Sequence, residues 1–191
     1  VPDPEPTAPE LDIAAVLGAL KRRGVRFVLI GGLASVIHGS PFPTEDIDIT
    51  PERTQENLAR LSGALADLQA RIRTDDVSGG LPFKHDATSL GQVALWNLTT
   101  PHGDLDISFV PSGTSGYEDV IRDASETPVL GLQVFVASLA DVIRSKQAAN
   151  RPKDQRVLPT LREILASRHQ ARQEDAQSPQ SSPDAEPSQS G

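Results

Sequence analysis

Two short segments, Asp46-Ile47-Asp48-Ile49 and Asp104-Leu105-Asp106-Ile107-Ser108-Phe109, alternate acidic or polar residues with large apolar ones. This pattern limits what the chain can fold into more than any other. A period of two is that of a β-strand with one face in a core. Asp46 and Asp48 therefore project together, while Ile47 and Ile49 point inward. Neighbouring carboxylates repel each other, and a pair is costly unless cations sit against it. Two metal ions about 3.5–4 Å apart are the standard way to use such a pair, aligning an attacking hydroxyl with a phosphate. All-oxygen donors suit Mg²⁺ or Mn²⁺. The plainer alternative is an edge strand whose outer face happens to be acidic. If the second segment lies beside the first, Asp106 becomes a third carboxylate, while Asp104, next to a turn, reads as a solvated strand end.

The rest of the chain frames these strands. Leu11 to Arg23 has a helical apolar stripe closed by Gly24. Val25 to Ile30 is a buried-strand candidate, and Gly31-Gly32 then opens a short helix. Backbone N–H groups at such a turn can face an anion, and glycine lets a phosphate approach the main chain. Thr54 to Ile72 reads as one helix. Val93 to Thr99 and Leu105 to Val110 read as strands joined through Pro101-His102-Gly103. Tyr117 to Ala124 follows as a short helix and Gln133 to Val136 as a last strand. Ser138 to Ala149 is a helix ended by Pro152, and Pro159 divides Asp154 to Arg168 into two short pieces. The expected class is α+β: a mixed sheet with flanking helices and a small C-terminal helical segment.

Composition sets the limits. Residues 1–10 hold four prolines, and residues 169–191 carry no apolar side chain larger than alanine. Both are expected to be disordered tails around a single domain at 11–168. The tails hold seven acidic residues against one basic, so the domain carries only about −2 of the formal −8. Basic residues cluster at Lys21 to Arg26 and from Arg144 to Arg156, as solvated helix ends or as an anion-facing surface. With no cysteine, thiolate metal sites and disulfides are excluded. No stretch has the apolar length of a membrane span or a signal pattern, so a cytoplasmic location is expected. The four histidines lack metal-ligand spacing and read as structural. Lys146 continues the stripe of Leu139, Val142 and Ile143, pointing inward where it needs a partner or an anionic ligand, unless it snorkels.

Gly31-Gly32, a gap of thirteen residues, Asp46-x-Asp48 and a later strand aspartate together resemble the polymerase-β-type nucleotidyltransferase superfamily. The resemblance spans roughly Val25 to Leu165. It looks closest to the minimal bacterial branch that includes the AbiEii-type toxins of toxin–antitoxin pairs, whose helical lysine and Arg-x-Lys-Asp-like stretch are matched between Asp141 and Leu158. It implies an Mg²⁺-dependent enzyme moving a nucleoside monophosphate from a nucleoside triphosphate to an acceptor hydroxyl. Asp46, Asp48 and Asp106 would hold metal, with Asp106 as base. Gly31 and Gly32 would cradle the triphosphate and Lys146 would bind phosphate. Asp154 would organise the site or pair with a cation; as a residue it reads equally well as a helix N-cap. Many members carry Gly-Ser where this chain has Gly31-Gly32, so Thr44, Ser40 or backbone groups would have to compensate. The branch implies RNA (tRNA) or a protein as acceptor and a cognate antitoxin as partner. The alternatives are an aminoglycoside- or lincosamide-type antibiotic nucleotidyltransferase and a catalytically silent nucleotide-binding module.

Overall fold

The computed structural model describes residues 10–177. In chain order the elements are α1 (Ile13–Arg22), β1 (Phe27–Ile30), α2 (Gly31–Ile37), β2 (Asp46–Pro51), α3 (Gln55–Asp67), β3 (Arg71–Ile72), α4 (Ala87–Gln92), β4 (Leu95–Thr100), β5 (Gly103–Ser108), α5 (Tyr117–Val120), β6 (Ser125–Val129), β7 (Leu132–Val136), α6 (Leu139–Ala149) and α7 (Pro152–Gln177). The seven strands form one mixed sheet in the order β3-β4-β5-β2-β1-β7-β6. This is the expected α+β class.

The two acidic strands are parallel neighbours at the centre, with Asp46 opposite Asp104 and Asp48 opposite Asp106. Their apolar positions, Ile47, Ile49, Leu105 and Ile107, are fully buried and share a core with Leu17 and Leu20 of α1 and Leu58, Leu61 and Leu65 of α3. Each such side chain contributes about 1.5–3 kcal/mol of burial. That gain fixes the register, because a one-residue slip would turn the carboxylates into the core. Asn57 of α3 ties the sheet to this layer. It is fully buried, accepts from the Arg26 N–H at 2.7 Å and donates to the Arg26 and Glu52 carbonyls at 2.8 Å.

The structure differs from the sequence-based expectation in several places. The helix from Thr54 stops at Asp67, and Arg71–Ile72 is the edge strand β3. Gln69 takes the left-handed turn after α3 (φ 51°), so no glycine marks the stop. Helix α4 begins with a capping box between Asp86 and Ser89. β6 tolerates Pro128 because it lies at the sheet edge. Finally, α7 is one helix through Pro159 and not two pieces. Pro159 and Gln155 are both exposed, so water can take the carbonyl that the missing N–H leaves free. The same helix extends through 169–177, placed in the tail on composition, with those side chains exposed through Asp175 and Ala176. The remainder of both expected tails, 1–9 and 178–191, lies outside the described residues. Among the described residues no helix is long and apolar enough to cross a membrane.

Candidate active site

The β2–β5 pairing places Asp46, Asp48 and Asp106 on one face, each offering a carboxylate oxygen within 4.8 Å of the others. They line a cleft of about 580 Å³ together with Gly31, Gly32, Thr44, Lys146 and Arg151. Asp48 is the most stressed of the three. Burial, then the charges of Asp46 and Asp106, push its carboxyl up to about 6, against a smaller pull from the Gly32 N–H and Lys146. No cation makes an ion pair with Asp46 or Asp48 among the described residues. Three converging hard-oxygen donors, one of them destabilised as an anion by burial and by the other two, fit a divalent cation such as Mg²⁺ or Mn²⁺.

Asp106 differs because Arg73 reaches it. One guanidinium nitrogen donates to both Asp106 oxygens, at 2.8 and 3.0 Å, and the other lies 2.8 Å from Asp104 Oδ2. Burial still raises the Asp106 carboxyl, and Arg73 offsets part of that rise. Arg73 escaped the sequence reading because it follows the misjudged end of α3. The alternation Arg71-Ile72-Arg73 was the available signal. Its position depends on the Arg73 N–H bonding the Asn97 carbonyl at 2.9 Å, a contact between strands distant in sequence.

The glycine pair meets the site at van der Waals limits. Gly31 has φ 67°, and a Cβ there would lie 1.9 Å from Asp48 Oδ2. Only glycine fits. The Gly32 N–H donates to the same oxygen at 3.3 Å, so at this turn the anion in contact is Asp48 itself. A Cβ on Gly32 would lie 2.4 Å from Thr44 Oγ1. Thr44 therefore fills the space a side chain at 32 would need, with its hydroxyl 3.1 Å from Asp46 Oδ1 and 3.0 Å from the Asp46 carbonyl. Ser40 also lines the cleft, but its hydroxyl accepts from the Phe42 N–H at 3.3 Å.

Helices α6 and α7 bring the basic groups. Lys146 does point inward, its side chain 13% exposed, and Nζ lies 3.3 Å from Asp154 Oδ1. Asp154 is in the first turn of α7 and is fully buried. Its carboxylate pairs with Arg151 at 2.6 Å and with Lys146, so it is a partner of cations and not a helix cap. Burial alone would raise its carboxyl, but these two cations bring it below the usual carboxylate range. The histidines stand apart from the carboxylates: His38 bonds the Ala137 carbonyl at 2.7 Å and His85 meets the Ser62 hydroxyl at 2.9 Å.

No protein-family model and no curated protein matches the sequence. Solved structures do match. The chain aligns with the lincosamide antibiotic adenylyltransferase LnuA, solved with lincomycin bound, at a TM-score of 0.54 and 16% identity, over 81% of this chain and 99% of that one. The chain has the nucleotidyltransferase fold. Two structures of the antibiotic-resistance factor ANT(2'')-Ia match at TM-scores of 0.47 and 0.48. One is a solution structure, with 17% identity over 86% of this chain and 94% of that one. The other, in complex with adenylyl-2''-tobramycin, has 16% identity over 85% and 95%. In this chain the nucleotidyltransferase fold carries its carboxylates on the two central parallel strands and its lysine on α6.

Proposed function

We propose that the protein is a divalent-metal-dependent nucleotidyltransferase, transferring a nucleoside monophosphate from a nucleoside triphosphate to an acceptor hydroxyl in the cytoplasm. The observation that carries this reading is the convergence of Asp46, Asp48 and Asp106 on one face of the β2–β5 pair, with Lys146 across the cleft. The three aspartates would hold Mg²⁺ or Mn²⁺, which when bound supplies the positive charge that lets a triphosphate enter an acidic site. Asp106 takes the proton of the acceptor hydroxyl as its oxygen bonds to the α-phosphorus. The bond from that phosphorus to the bridging oxygen breaks, and pyrophosphate leaves. Lys146 binds phosphate oxygens, with Asp154 holding its ammonium in place. Gly31 and Gly32 keep the turn bare enough for phosphates to approach, and Thr44 supplies the hydroxyl there.

Incubation with α-labelled and γ-labelled nucleoside triphosphates, Mg²⁺ and candidate acceptors tests the reading. The α label is expected on an acceptor and the γ label in pyrophosphate, with both lost in EDTA and in Asp48→Asn. Transfer of the γ label, or no transfer to any acceptor, contradicts it. The second outcome would favour a silent nucleotide-binding module.

RNA (tRNA) or a protein as acceptor, in a toxin countered by an antitoxin, is supported by the sequence resemblance and by the basic stretch at Arg151 and Lys153. The fold gives this acceptor less support, because Lys146 is taken up by the triphosphate and Arg151 is paired with Asp154. An antibiotic-like small molecule is the other reading, and the cleft's size is in the range of small-molecule sites.

A further inference from the structure

The cleft's basic residues are confined to one wall. Among the described residues the basic side chains lining the cleft are Lys146, Arg151 and Lys153, all from α6, α7 or the link between them, while Arg73 on the other side is paired with both Asp104 and Asp106. The strip running from Asp106 along β4 and β5 is different. Asn97 lies directly opposite Asp106, and Leu95 opposite Ser108, so these four side chains share the carboxylate face. Val110, two residues beyond Ser108, also lines the cleft. The side chains of Asn97 and Ser108 make no hydrogen bond among the described residues. Leu95 and Val110 are 50% and 51% exposed although both are large and apolar. Next to the group that would take the acceptor's proton lies a free amide and a free hydroxyl, and beyond them an uncovered apolar end.

We infer that this strip is the acceptor subsite and that it takes an uncharged, amphipathic small molecule, its reacting hydroxyl at Asp106, further polar groups at Asn97 and Ser108, and an apolar portion on Leu95 and Val110. The inference rests on the nucleotidyltransferase reading above. A polyanionic acceptor does not suit the strip. Its phosphates would lie beside Asp104 and Asp106, where the cation present, Arg73, is outnumbered by the two carboxylates it pairs with, and nucleic-acid binding depends on cations free to meet phosphate. The exposed leucine and valine would gain nothing from phosphate or ribose, whereas an alkyl group would remove them from water.

The test uses the full chain with Mg²⁺ and a non-hydrolysable nucleoside triphosphate analogue. Saturation-transfer NMR would follow the binding of n-hexyl glucoside, glucose and tRNA to the wild type, Leu95→Glu and Val110→Glu. Both positions are half exposed, so the variants are expected to fold. Calorimetry with Mg²⁺ and the analogue checks that each keeps wild-type nucleotide affinity. The hexyl glucoside is expected to bind at least tenfold more tightly than glucose, and each variant to erase that advantage. Binding of tRNA without the glucoside overturns the inference, as does no glucoside binding at millimolar concentration or equal binding in the variants. If the wild type fails to bind the analogue with Mg²⁺, the nucleotidyltransferase reading itself has failed; if it binds the analogue and not the glucoside, only the inference has.

Discussion

Asp154, at the start of α7, has no solvent exposure, yet two cations 2.6 and 3.3 Å away hold its carboxyl below the usual range. Asp48, on β2, is also withdrawn from water, but its nearest charges are two other carboxylates, and burial together with those charges pushes its carboxyl up to about 6. The first aspartate is satisfied by the protein's own side chains. The second is left electrostatically unfavourable by a register that the core enforces, and a bound cation would relieve it. Burial alone does not separate a structural carboxylate from a ligand-binding one; what separates them is the sign of the nearest charges.

Removing the satisfied carboxylate should have the largest effect on stability. Asp154→Ala leaves Lys146 without its partner in a cleft wall and opens a space under α7. A loss of about 3 kcal/mol is expected, since breaking a withdrawn ion pair is costly while the half-exposed Arg151 can turn to water. Denaturant unfolding in metal-free buffer measures it. A loss no larger than that of a surface substitution would show that the ion pairs at Asp154 do not hold α6 and α7 together.

The strained carboxylate should appear in the pH dependence. The folded form holds a proton on Asp48 up to about pH 6, whereas the unfolded form releases it near 3.8. The native state binds more protons between these values, so stability in metal-free buffer falls as pH rises from about 4 to about 6. The expected loss from this group is on the order of 2 kcal/mol. Other carboxylates add their own slopes, so the diagnostic quantity is the difference between wild type and Asp48→Asn. An identical profile in the variant would mean that Asp48 is not strained.

The smallest effect is on Asp48→Asn itself at pH 7 without metal. Removing the repelled charge while keeping an oxygen for the Gly32 N–H should raise stability by about 1 kcal/mol, read as a rise in Tm. A fall in Tm would place Asp48 with Asp154 as a structural carboxylate.

The carboxylates were legible in the sequence because strand periodicity is local: each Asp-x-Asp declares its own face. That Asp106 joins Asp46 and Asp48 needed the β2–β5 pairing, which the sequence permitted but did not require. Lys146 was found by the phase of its helix, and only the structure shows that its partner is Asp154. Arg73 was missed since its place depends on a left-handed Gln69 and on a strand of two residues. Thr44 became significant through a steric fact, the 2.4 Å approach to a Cβ on Gly32. The resemblance to the toxin branch gained nothing from the fold, which is shared with the lincosamide antibiotic adenylyltransferase LnuA.

Calorimetric titration of a nucleoside triphosphate into the full chain, with Mg²⁺ and then with EDTA, tests most directly whether the aspartate trio is a metal site. Binding is expected to be at least tenfold tighter with Mg²⁺, because the carboxylates and the triphosphate repel each other until a cation lies between them, and Asp48→Asn should lose most of that gain. Equal affinity in Mg²⁺ and EDTA, or an undiminished Mg²⁺ effect in Asp48→Asn, would contradict it.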